Sequence, residues 1–190
     1  LRETAACLGR LLAGEEISFG DYPTVAKYFN FNPRASFRLN FAPKVPIHLY
    51  CGSNGPLGMK VGGELMDGLI MGGEFKAVAG TGRLPSLLAI FDDAARAAGK
   101  AKALPKVAEI KLSVSRDRQA AREFARHNSG RRVLNLHRRG YGPEEIMRLG
   151  ITPEEVNRLD AADRDRSSSH AFGELVTDAM IDGVFVTGEP

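Results

Sequence analysis

Residues 45–71 read VPIHLYCGSNGPLGMKVGGELMDGLIM, and the order of residue types along them decides the fold class. Residues 45–51 are an apolar, β-rich run entered through Pro46, and the run ends abruptly at Gly52-Ser53-Asn54-Gly55-Pro56. A helix is expected from Pro56, because the fixed φ of proline suits the first helical position and its missing N–H would be unpaired there anyway. Leu57, Val61 and Leu65 recur on one face of that helix, Gly68 closes it, and Leu69-Ile70-Met71 is a second short apolar run. Strand, glycine turn, helix and strand in so short a span make a βαβ unit, which calls for parallel strands with both faces buried.

Working outward, residues 1–13 read as an amphipathic helix, followed by a long connector, 14–41. The connector holds Tyr22, Tyr28, Phe29, Phe31 and Phe37, so it is expected to pack onto the protein or over a pocket mouth rather than to swing free. Beyond Met71 come Gly72-Gly73-Glu74, a turn at Gly80-Thr81-Gly82, and a helix over 84–98 with Leu84, Leu88, Phe91 and Ala95 inward and Gly99 as its stop. Residues 106–114 alternate as one strand, with Ile110, Leu112 and Val114 on one side and Glu109, Lys111 and Ser113 on the other. The polar side has two possible addresses, solvent at a sheet edge or a barrel interior beside a polar ligand. Ser115 is expected to cap a helix running to about His127, Gly142-Pro143 and Thr152-Pro153 open two more, and a last helix over 172–181 leads into a strand at 184–186. Glu189-Pro190 reads as the opening of a further helix.

Repeated βα units fit either a doubly wound sheet or a closed barrel. The 52–55 turn lacks the G-x-G-x-x-G spacing of a dinucleotide fold, so the pattern favours an α/β class protein built as a (β/α)8 barrel of the TIM type. Residues 1–190 then form part of one barrel domain with a helical insertion over about 128–170. Leu1 is not an initiator methionine and the first helix is already under way, so the chain is expected to be an internal to C-terminal portion of a longer protein, cut at both ends.

The 190 residues are 43% apolar and 26% charged, a balance that supports one sizeable core and carries no signature of disorder. Cys7 and Cys51 lack any C-x-x-C spacing and read as reduced, buried small hydrophobes, as expected of a cytoplasmic protein. No apolar run reaches the length of about 18 residues needed to span a bilayer, so no membrane partner is expected. The net charge of +3 points weakly to nucleic acid, and the dense patch of Arg131, Arg132, His137, Arg138 and Arg139 has no interleaved aromatics to stack on bases. It reads as a solvated helix face, and a nucleic-acid partner is not expected.

Chemistry is expected first at Gly52, Ser53, Asn54 and Gly55, where backbone N–H groups converge ahead of a helix N-terminus and suit a phosphate. Gly72 and Gly73 also follow a strand, which in a barrel puts them on the same rim, and they form the second candidate cofactor-binding turn. The same glycines equally suit ordinary βα turns. His48, His127, His137 and His170 have no metal-ligand spacing, and no G-x-S-x-G elbow exists, so neither a metal centre nor a serine-hydrolase triad is expected. Glu64 and Asp67 read as solvated, turn-forming carboxylates.

With its G-P-x-x-x-K-x-x-G-E-x-x-D-G core (Gly55, Pro56, Lys60, Gly63, Glu64, Asp67, Gly68), this region resembles the luciferase-like flavin and deazaflavin oxidoreductases, most closely the methylenetetrahydromethanopterin reductase branch. Arg10-Leu11-Leu12-Ala13-Gly14-Glu15 is similar to the segment preceding that motif, and residues 181–189 are similar to the approach to the family's final βα unit. The resemblance implies an eight-stranded barrel that binds the deazaflavin coenzyme F-420, or FMN in other branches, with its phosphate at the 52–55 turn. It also implies hydride transfer to a small-molecule acceptor, a homo-oligomer, and a ring pocket built largely by strands outside this chain, so no catalytic residue is assigned. Two rival readings remain open: an FMN-dependent monooxygenase of the same superfamily, and a non-catalytic barrel fragment that self-associates.

Overall fold

A computed structural model of the chain describes residues 1–41, 43–100 and 102–189. Pro190, part of the expected further helix, lies outside the described residues. In chain order the elements are α1 (Arg2–Leu12), β1 (Ile17–Ser18), a 3-10 turn (Phe19–Asp21), α2 (Pro23–Phe29), β2 (Ser36–Phe37), β3 (Tyr50–Gly52), α3 (Pro56–Leu65), β4 (Gly68–Met71), α4 (Phe75–Gly80), α5 (Leu84–Ala97), β5 (Lys106–Ala108), β6 (Lys111–Val114), α6 (Arg118–Arg138), α7 (Pro143–Met147), α8 (Pro153–Arg164), α9 (Ser169–Glu174), α10 (Asp178–Val184) and β7 (Phe185–Gly188). They fall into two compact units, one of Leu1–Ile70 with Leu87–Val107 and the other of Met71–Ser86 with Ala108–Pro190.

The first unit contains the βαβ element. β3 and β4 pair in parallel, with Cys51 opposite Leu69, and β5 extends the sheet in the order β3-β4-β5. The strand expected over 45–51 shrinks to its end: Val45 and Ile47 are exposed, and regular pairing starts only at Tyr50. Pro46 has no N–H to give a ladder, and β4 is the only strand beside β3 among the described residues. Leu49 is instead held by Asp67, donating its N–H to Oδ2 at 2.8 Å and accepting from the Asp67 N–H at 2.7 Å.

The helix starts at Pro56 as expected, but its buried face differs. Leu57 is 82% exposed, while Met59, Gly62 and Gly63 are buried. Close approach explains the shift: a Cβ on Gly62 would lie 2.6 Å from Cys51 Cβ, and one on Gly63 would strike Phe91 O and lie 2.9 Å from Ala94 Cβ. The two glycines let α3 seat against both β3 and α5, so the leucines are left outside.

The aromatic connector is folded rather than a loop. β1 and β2 pair antiparallel, α2 ends on Asn30 in the left-handed region, and Glu3 of α1 accepts from Thr24 N–H (2.7 Å) and Thr24 Oγ1 (2.6 Å) at the start of α2. Cys7, Leu11, Ile17, Tyr22 and Val25 make its small core. Cys7 and Cys51 are both free and buried.

In the second unit β6 and β7 pair in parallel, Lys111 opposite Phe185. The strand expected over 106–114 is broken at Glu109-Ile110 into β5 and β6, which belong to different sheets. Ser113 faces α6, its Oγ donating to Ala121 O at 2.7 Å, whereas Leu112, Val114 and Val186 are exposed. The polar side of the strand is therefore the helix-covered one.

Asp117, not Ser115, caps α6, accepting from Gln119 N–H at 2.8 Å and Ala120 N–H at 3.2 Å. The helix runs past His127 and through Gly130 to Arg138. Gly130 is buried there because Val176 and Phe172 press on it, within 2.6 and 2.9 Å of where a Cβ would stand. The expected final helix over 172–181 is two helices, parted at Thr177, the N-cap of α10. α8 carries a full capping box between Thr152 and Glu155.

The architecture is thus α/β, with parallel pairing in β3–β4 and β6–β7 and an antiparallel β1–β2 pair. Among the described residues the sheets are one of three strands and two of two strands, and none is closed into a barrel.

Ion pairs in the second unit predict an acid-sensitive fold. Hydrogen bonds from Arg83 hold Glu145 below the usual carboxylate range, and those from Arg138 do the same for Asp160 and Asp163. A lowered folded pKa contributes stability that is complete above the unfolded carboxylate value of about 4 and is lost as pH falls through the folded value. Thermal melts from pH 7 down to pH 3 should hold steady until about pH 4 and then decline, and Glu145→Gln should flatten part of that decline. A steady loss between pH 7 and pH 5 would assign the sensitivity to other groups.

Candidate functional site

The 52–55 turn joins β3 to α3 in the first unit. Ser53 N–H donates to Ile70 O at 3.2 Å, continuing the β3–β4 ladder, and Gly55 N–H donates to Ser53 Oγ at 3.2 Å. The Ser53 hydroxyl in turn donates to Gly55 O at 3.3 Å and occupies the space beside Gly58, where any side chain would strike it. Two of the amides expected to face a ligand are therefore spent, one on β4 and one within the turn.

What remains is the start of α3 itself. Gly55 is the N-cap and supplies no side-chain acceptor, and Pro56 has no N–H, so the first-turn amides of Leu57 and Gly58 lack a side-chain cap. A Cβ placed on Gly52 or Gly55 would meet nothing within 4 Å, so the backbone of the turn borders open space. Asn54 is half-buried beside it. An uncapped helix start with glycines bordering open space suits an oxyanion such as a phosphate.

The Gly72-Gly73 turn, in the second unit, is differently built. A Cβ on Gly73 would overlap Lys111 Cε and lie 2.9 Å from both Lys111 Nζ and Glu109 Oε1, so a lysine–glutamate pair covers this glycine. The next residue, Glu74, is 1% exposed and is gripped by two side chains of α6, Arg132 at 3.3 Å and Asn135 at 3.5 Å, and by Arg139 at its C-cap. Sequence reasoning missed this clamp. The one local signal was an acid directly after two glycines, and its arginine partners lie far along the chain in a stretch that matched no motif.

Those arginines are the basic patch noted in the sequence. Arg131 pairs with Asp163, Arg138 with Asp160 at 2.9 Å, and Arg132 and Arg139 with Glu74, so the patch is matched by carboxylates. Glu64 pairs with Arg2, and Asp67 holds Leu49, giving both acids structural work. No group of three or more His, Cys, Asp or Glu side chains among the described residues is placed to hold a metal ion, and no helix among them is long and apolar enough to cross a membrane.

The aromatic connector shapes a groove of about 490 Å³ between α1 and the rings of Phe19, Phe29, Phe31 and Phe37. Its position bears on function. α1 is fixed by Arg2 to Glu64 near the end of α3, and Gly9 faces Leu49 just ahead of β3. The connector is thereby tied to the end of the βαβ unit away from the 52–55 turn.

A family model described as luciferase-like monooxygenase matches residues 1–190. Among solved structures, the coenzyme F420-dependent tetrahydromethanopterin reductase of Methanopyrus kandleri is similar in fold, with a TM-score of 0.57 at 21% sequence identity, over 76% of this chain and 39% of that one. The chain thus spans well under half the length of that relative. No curated protein matches the sequence. The family uses flavin or deazaflavin cofactors and its members are oxidoreductases. On the match along its whole length, the chain belongs to the luciferase-like monooxygenase family.

Proposed function

We propose that the chain is part of an oxidoreductase that transfers hydride between the deazaflavin coenzyme F-420 and an organic small-molecule acceptor, in the manner of the methylenetetrahydromethanopterin reductase branch. The observation that carries the reading is the uncapped start of α3 beside open glycines at the end of a parallel strand. Family membership and the named activity of the Methanopyrus kandleri neighbour support it. Leu57 and Gly58 N–H would hold the coenzyme phosphate, with Gly52 and Gly55 permitting its approach and the Ser53 hydroxyl bracing the turn. When bound, the coenzyme supplies a two-electron hydride; the protein's share is orientation and exclusion of water. In this reading the two parallel sheets are arcs of one eight-stranded barrel within a single domain, helices over about 128–170 are an insertion, and the protein works in the cytoplasm as a homo-oligomer.

Titration of the protein with F-420 and with FMN, each followed by absorbance, tests the proposal. Saturable F-420 binding is expected. Tight FMN binding with no affinity for F-420 would replace the reading with an FMN-dependent monooxygenase, which the family description favours as the second choice.

Gly55→Ala sharpens the test. Gly55 has φ −131°, which alanine adopts freely, and its Cβ would point into open space, but it is also the N-cap of α3, where alanine is disfavoured, so stability should stay within about 1 kcal/mol. F-420 affinity should nevertheless fall by about tenfold, or about 1.4 kcal/mol, because the methyl takes room the phosphate needs. Calorimetric melts and the same titration read the two effects separately. Unchanged affinity would remove the phosphate from this turn.

A further inference from the structure

We infer that the Glu109 carboxylate occupies, as an internal stand-in, an oxyanion subsite formed by the Gly72-Gly73 turn with Lys111 and Arg132, and that an anionic group of a ligand displaces it. The inference rests on the expectation from sequence that Gly72-Gly73 is a second ligand-binding turn, separate from the phosphate seat proposed at α3. Glu109 follows β5 in the break between two strands, and its N–H donates to Met71 O at 2.8 Å, just ahead of the two glycines. Its Oε1 lies 2.9 Å from Lys111 Nζ, its Oε2 lies 3.7 Å from the position a Gly72 Cβ would take, and both Lys111 and Arg132 act to keep it charged. The carboxylate therefore rests over backbone that bears no side chains, paired with Lys111 and within the field of Arg132. That is the environment a bound phosphate or carboxylate requires.

Displacement is sterically open. The Glu109 side chain is 49% exposed and can turn to water, whereas Lys111 is 30% exposed and lies along Gly73, which admits it only because it is glycine. Arg132 stays in place because Glu74, buried beneath, holds it together with Arg139. The site thus has one cation, Arg132, anchored by Glu74, a lysine laid along Gly73, and one removable anion, and its own glutamate sets a threshold that an incoming oxyanion must overcome.

Isothermal titration with sodium pyrophosphate and, separately, with succinate tests this on the wild-type protein and on Glu109→Gln and Lys111→Gln, with amide shifts of Gly72 and Gly73 as the local readout. Glu109→Gln should bind one of the two probes about five- to tenfold more tightly than wild type, and Lys111→Gln should lose that binding. A response to pyrophosphate alone assigns a phosphate group, and one to succinate alone assigns a carboxylate. Equal affinity in wild type and Glu109→Gln, or probe binding that survives Lys111→Gln, overturns the inference. Lys111→Arg, which keeps the charge, should retain binding and guards against a folding defect in the glutamine variant. F-420 binding is measured in parallel: its absence alongside the expected pyrophosphate pattern sinks the coenzyme reading and leaves this one standing, and the reverse pattern does the opposite.

Discussion

Gly63→Ala should destabilise the protein by about 3 kcal/mol, out of proportion to the addition of one methyl group. The new Cβ would run into Phe91 O and stand 2.9 Å from Ala94 Cβ and 3.0 Å from Ala95 N, so the obstacle is the backbone of α5 rather than a side chain able to rotate away. Relief requires α3 to lift off α5, which opens the packing of Met59 and Phe91, both 0% exposed. Urea unfolding compared with Gly55→Ala, whose Cβ meets nothing, isolates close packing from any general effect of replacing glycine. Equal midpoints for the two variants would show that α3 and α5 are not in the contact described.

The second large effect is expected at Glu74. Its carboxylate is 1% exposed and faces Arg132, Arg139 and Asn135. Glu74→Ala leaves two guanidinium groups facing each other without their shared anion, and should cost about 2 to 3 kcal/mol. The figure sits at or below the low end for buried pairs because the arginines are 31% and 49% exposed, so water recovers part of the loss. Glu74→Gln keeps the shape and removes the charge. If charge is what matters, it should recover little of the lost stability in chemical denaturation; full recovery would make Glu74 a space-filling residue.

How much of this was legible in the sequence varies with how local the cause is. The start of α3 was readable because Pro56 and the glycines before it act on their own neighbours, and the parallel β3–β4 pairing followed from the short crossover. The buried face of α3 was not, since hydrophobic spacing selects Leu57, Val61 and Leu65 while the contact is set by what Gly62 and Gly63 lack. Likewise the helix after Ser115 was expected to stop near His127, and only the contacts of Gly130 with Phe172 and Val176 show why a glycine is kept inside α6. The alternation over 106–114 runs on unbroken through Glu109 and Ile110, so nothing local marks the point where pairing passes from one sheet to another.

The candidate site divides the same way. The 52–55 turn was visible as a turn, and the structure moves its available donors from Ser53 and Gly55 to the first turn of α3, because β4 and the serine hydroxyl claim the others. At the second turn the glycines were visible but their occupants were not: Lys111, Glu109 and the arginines behind Glu74 arrive from distant parts of the chain.

The coenzyme phosphate is proposed to sit at the α3 N-terminus, and the coenzyme reading depends on that seat. The most direct measurement is the set of backbone amide shifts on titrating the protein with F-420, compared with the same titration of Gly55→Ala. The largest movements should fall on Leu57 and Gly58, saturate with the absorbance change, and be lost or weakened in the variant. Saturable binding that leaves Leu57 and Gly58 unmoved would contradict the account.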